Sequence, residues 1–122
     1  MSVGRWGPAA AWAACILVAT WIPGAKLPRI PAPAGTDKVV HFLFFAVLGA
    51  LVVAAMRARW SVRAPMLVLI AIAAFGAMDE YVQQFIPGRT MELFDWIADV
   101  TGAAVGIAIA ARRTRAEREA RP

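Results

Sequence analysis

The chain has 122 residues, of which 61% are hydrophobic and only 17% charged, with a net charge of +5 and a mean hydropathy of +0.62. At this length roughly a third of the surface stays exposed after folding, so a soluble globule cannot hide so much apolar area; a disordered chain is excluded by the opposite imbalance. A single cysteine, Cys15, excludes an intramolecular disulfide and any Cys/His zinc pattern.

Four continuously apolar runs follow in chain order: 6–22, 39–56, 65–86 and 95–111. Each approaches the ~20 residues an α-helix needs to cross hydrocarbon, and none alternates as a barrel strand would. The expected fold is all-α, a four-helix transmembrane bundle forming one domain over 1–122. The connection after the first run holds Pro23, Gly24, Pro28, Pro31 and Pro33 and should be extended. Ala32-Pro33-Ala34 resembles a leader cleavage site, but it lies about ten residues past the apolar run among prolines, so a retained first helix is expected. Arg57 to Arg63 form a basic turn, Pro65 suits the start of helix three, and Pro87-Gly88 ends it. The Arg/Glu tail 112–122 should be a frayed, solvated helix end.

Charge sets the orientation. Four crossings put the N-terminus, the second loop and the tail on one side, with Arg5, Arg57, Arg59, Arg63, Arg112, Arg113, Arg115, Arg118 and Arg121: nine of the thirteen basic residues. The positive-inside rule then places both termini in the cytoplasm. Trp6 and Trp60 fall at the inner boundary, Trp21 and Trp96 at the outer one, and Trp12 mid-helix, facing lipid or packed.

The acidic residues segregate oppositely. Asp37, Asp79, Glu80, Glu92, Asp95 and Asp99 lie at the outer side with His41, Gln83, Gln84 and Arg89, whereas Glu117 and Glu119 pair with tail arginines. With helix three ending near Ile86, Asp79 and Glu80 lie roughly 9 to 11 Å below its outer end; His41 is about 4 to 5 Å below Lys38, and Asp99 about 6 Å below Asp95. Ionisable groups at such depth need pairing, protonation or a polar cavity. Asp37/His41, Asp79/Gln83, Glu80/Gln84 and Asp95/Asp99 are each four apart and share a helix face. A carboxylate four residues before a histidine could fix the imidazole tautomer. Between Asp79 and Glu80, the longer side chain and Gln84 favour Glu80 as the inward one, with Asp79 bonding a neighbouring helix.

The string Asp37-Lys38-Val39-Val40-His41-Phe42, then Asp79-Glu80-Tyr81-Val82-Gln83, Pro87-Gly88-Arg89, and Asp95 followed by Gly102 resembles the VanZ-like family. Its pattern is DKxxHF on the second helix, DExxQ and PGR around the third, and Dxxx[N]xxG on the fourth. The resemblance runs from the Pro-rich first loop through helix four. Asp99 stands where the family usually has asparagine and adds a potential negative charge. The resemblance implies a small multi-pass protein of the bacterial inner membrane and cell envelope, in a family named for a member linked to teicoplanin resistance. It implies no particular reaction.

Three functions are open. One is a binding pocket formed by Asp37, Lys38, His41, Asp79, Glu80, Gln83, Arg89 and Asp95, for the headgroup of an envelope lipid or lipid-linked precursor, or a glycopeptide. Another is an enzyme using His41 with Asp79 or Glu80 as acid and base, or a divalent metal on His41, Asp79, Glu80, Asp95 or Asp99; no serine or cysteine nucleophile accompanies them. Ion movement is the weakest, because helix three below Asp79 is wholly apolar. Blander readings compete: His41 as an interfacial anchor, Arg89 as a helix cap or a partner of Asp95, Gln83 or Gln84 as interhelical glue, and the tail arginines as lipid-headgroup contacts rather than nucleic-acid binders. Gly102, Gly106 and Ala110 form a small-residue seam that could pack within the chain or against a second copy as a homo-oligomer.

Overall fold

The computed structural model describes residues 3–28, 30–57 and 61–120. Arg29, Arg59, Trp60 and Arg121, which enter the charge and tryptophan pattern, lie outside them. Four helices run in order: α1 (Val3–Thr20), α2 (Thr36–Met56), α3 (Ala64–Gln83) and α4 (Leu93–Glu119), with one 3-10 turn at Gly24–Lys26. No strand occurs among the described residues. Three helices, α2, α3 and α4, are long and apolar enough to cross a membrane. The first is not among them: Gly4, Arg5, Gly7 and Pro8 fill its opening turns.

The helix ends differ from expectation in three places. Helix α2 begins three residues early, after Gly35 at φ 86°, which brings Asp37 into its first turn, where the helix dipole favours an anion. Helix α3 stops at Gln83 rather than near Ile86. Pro87 disfavours helical geometry at Ile86, and the chain instead tightens into turns, with Phe85 N–H donating to Val82 O (3.0 Å) and Ile86 N–H to Gln83 O (3.0 Å). Asp79 and Glu80 are therefore one turn from the helix end, about 4.5 to 6 Å, not two. Helix α4 continues unbroken to Glu119, so the tail is helical over 112–119. Its 27 residues span about 40 Å, and Glu117 reaches back to Arg57 of α2 (2.6 Å).

Helices α2 and α4 pack backbone to backbone. A Cβ on Gly102 would overlap the carbonyl of Phe42, and one on Gly106 the carbonyl of Ala46; on α2, one at Gly49 would come within 2.8 Å of Ala103 O. Gly102 and Gly106 of the seam thus pack on α2 of the same chain. Phe45, Leu48, Val53, Val68, Ile72, Ala103 and Ile107, with Ile16 of α1, form the buried core. Trp12 is packed rather than lipid-facing, its indole donating to Phe44 O (2.8 Å), and Trp96 donates to Ala73 O (2.9 Å).

At the far end of α1 the two connections are tied together. Gly24 N–H donates to Pro87 O (2.9 Å), and Gly88, at φ 74°, lies so close to Gly24 that neither has space for a side chain. Arg89 extends across the same joint, donating from Nε to Ile22 O (3.0 Å) and from Nη2 to Ala19 O (3.1 Å).

Candidate functional site

Three helices deliver the polar groups to one end of the bundle. On α2, Lys38 and His41 lie on the side facing α4. On α4, Asp95 and Asp99 are one turn apart and both buried. Asp79, Glu80 and Gln83 of α3 are buried as well. Gly76, one turn below Glu80, keeps α3 close: a Cβ there would lie 3.1 Å from Phe45 and 3.2 Å from Asp99 Oδ2. Phe45 makes the floor of the cluster apolar.

His41 sits at the centre. Its Nδ1 is 2.9 Å from Asp99 Oδ1, so the carboxylate accepts the Nδ1 proton and leaves Nε2 open. Nε2 lies 3.8 Å from Asp95 Oδ2, and Glu80 Oε1 is 3.9 Å from Nδ1. The residue that orients the imidazole is therefore Asp99, not Asp37. Asp37 is exposed and binds Lys38 (2.6 Å). The Lys38 ammonium also contacts Asp95 Oδ1 (2.7 Å) and Glu92 Oε2 (2.9 Å), filling the space among three carboxylates close enough to share an ion.

The adjacent acids divide as expected, but for another reason. Glu80 turns toward His41, with Oε2 accepting from the Glu92 backbone N–H (3.0 Å). Asp79 turns to α1, where Oδ1 accepts from Thr20 Oγ1 and Trp21 Nε1 (both 2.8 Å). Gln84 plays no part, being exposed and donating to Tyr81 O (2.8 Å); Gln83 bridges the two acids at 3.3 and 3.4 Å. Arg89 is not brought into the cluster, because its bonds go to Ala19 O at the end of α1 and to Ile22 O just beyond it. Of the sequence-derived candidates, Lys38, His41, Glu80, Asp95 and Asp99 converge; Asp37 lies at the rim, Asp79 and Gln83 behind, and Arg89 elsewhere. Thr20 was missed, and Trp21 and Glu92 were placed at the outer layer but not among the site residues, since nothing in their own spacing announces a bond to α3.

A family model described as VanZ/LLP1 matches residues 7–114. The chain belongs to this family. Among curated proteins it is 35% identical over 81 residues to an uncharacterized protein of Schizosaccharomyces pombe (strain 972), covering 66% of this chain and 49% of the relative. The chain thus spans about half the length of that relative. No solved structure matches. Within the VanZ/LLP1 match lie all the converging residues, His41 and Asp99 included.

Proposed function

We propose that this VanZ/LLP1 protein is a multi-pass protein of the bacterial inner membrane whose His41 end faces outward and takes the polar headgroup of an envelope lipid or lipid-linked precursor. Tolerance of teicoplanin-type glycopeptides would follow from that occupancy. The observation that carries the reading is the pairing of buried acids around His41 with the Lys38 ammonium at their rim. Carboxylates suit the amine of a headgroup, and Lys38 would take its phosphate by exchanging one of its three carboxylate partners; a site at the end of apolar helices lies where headgroups lie.

Native mass spectrometry of the protein released from detergent tests this. Wild type should carry lipid, and Glu80→Gln and Lys38→Ala should carry several-fold less. Equal lipid on correctly folded variants overturns the reading. In cells, Glu80→Gln and His41→Ala at equal expression should abolish any teicoplanin tolerance the wild type confers.

The His41–Asp99 pair favours a second reading, an acid/base or metal-assisted enzyme on a lipid-linked substrate. A histidine held through Nδ1 with Nε2 open is set to move a proton. Release of headgroup from a lipid-linked pyrophosphate by wild type, absent from His41→Ala, would support it.

A further inference from the structure

The cluster has the parts of a metal site. His41, Glu80 and Asp95, one from each of α2, α3 and α4, each offer a ligand atom, and these atoms lie within 4.8 Å of one another. Ligands about 2.1 Å from a tetrahedral ion stand about 3.4 Å apart, so about 1 Å of side-chain movement closes the set. Histidines that bind metals usually donate their other ring N–H to a carboxylate, which fixes the tautomer and strengthens the donor. Asp99 does this at 2.9 Å.

Two further observations point to an ion. Asp99 is fully buried, and its Oδ2, set against Gly76 one turn below Glu80, has no hydrogen-bond partner among the described residues. An orphaned buried carboxylate oxygen is costly. A cation on the opposite edge of the imidazole would strengthen the Nδ1–H bond to Asp99 Oδ1 and so stabilise the buried carboxylate as a whole, although it gives Oδ2 no partner of its own. The charges agree as well. Asp37, Glu80, Glu92, Asp95 and Asp99 outnumber Lys38, and such an excess of acids favours a bound cation or shared protons. The other acidic trio, Asp37, Glu92 and Asp95, already holds the Lys38 ammonium.

We propose that His41 Nε2, a Glu80 oxygen and Asp95 Oδ2 bind one divalent transition-metal ion, with Asp99 as the residue that positions the imidazole. One nitrogen and two carboxylates suit Mn2+ or Zn2+ better than Mg2+ or Ca2+, which prefer all-oxygen shells. Three protein ligands leave coordination positions open, as in catalytic rather than structural metal sites, and a phosphate oxygen fits there. The site shares residues with the headgroup reading but does not require it.

The test uses full-length protein in lipid-free detergent, stripped with chelator and titrated with Mn2+ or Zn2+ by calorimetry. Wild type should bind one equivalent of at least one of the two ions. His41→Ala and Glu80→Gln should lose binding, Asp99→Asn should weaken it about 10- to 100-fold, and Asp37→Asn should bind as wild type. Pulsed electron paramagnetic resonance of Mn2+-loaded wild type, or the visible spectrum of a Co2+ substitute for Zn2+, should report one imidazole nitrogen. That measurement stands even if a variant does not fold. No stoichiometric ion on wild type, an ion without imidazole, or undiminished binding by folded His41→Ala overturns the proposal. Lipid retention is measured separately, so the two readings fail independently.

Discussion

Asp79 and Glu80 are neighbours in the chain, yet they are committed to different helices. One holds the end of α1 through Thr20 and Trp21; the other faces His41 of α2 and takes the N–H of Glu92 at the head of α4. About 100° of helical rotation separates successive side chains, and here it separates a fastening from a site.

Asp79→Ala should release α1. It leaves the Thr20 and Trp21 donors without their carboxylate, and bonds to a charged acceptor are worth about 1.5–3 kcal/mol. Thermal unfolding in detergent should show that loss, with a shift in tryptophan emission as Trp21 is freed. Binding at His41 should weaken less than on Glu80→Gln.

The α2–α4 contact depends on absent side chains. Gly106→Ala drives a methyl into the Ala46 carbonyl, and forced overpacking costs about 1–3 kcal/mol; the backbone origin of the clash puts it at the upper end. Gly4→Ala, where nothing lies within 4 Å, is the control. A Gly106→Ala protein that melts with the parent would contradict the interhelical contact.

Arg89→Ala should lower the melting temperature, since it frees the Ala19 carbonyl of α1 and the Ile22 carbonyl just after it, which the guanidinium serves together. Arg89→Lys should recover only part of the loss, because one ammonium lacks the fork that reaches both. Full rescue by lysine would mean that charge alone matters there.

Orientation can be read by cysteine labelling in a background lacking Cys15. With both termini cytoplasmic, Ala32→Cys should react with an impermeant reagent from outside, and Gly4→Cys and Ala120→Cys only after lysis. A Gly4→Cys that labels from outside while Ala120→Cys does not would show that α1 stays on one side.

The sequence made the layer legible but not its wiring. Spacing by four correctly put Asp95 and Asp99 on one face of α4, and an apolar chain with its acids gathered at one end had to bury some of them together. Spacing within a helix says nothing about how that helix is rotated against its neighbours. Asp37 and His41 share a periodic relation, yet α2 turns only His41 toward Asp99, leaving Asp37 for Lys38. Arg89 was ambiguous between cap and ligand because both uses need only a flexible cation just after helix three, and nothing in the sequence points it at Ala19 and Ile22. Glu92 enters through its backbone N–H, which no residue type advertises.

The joint between Gly24, Pro87 and Arg89 gives α1 a grip on a distant group. The turn it fastens leads directly into Glu92, whose N–H holds Glu80. A force on α1 therefore travels along one short piece of chain to a carboxylate beside His41.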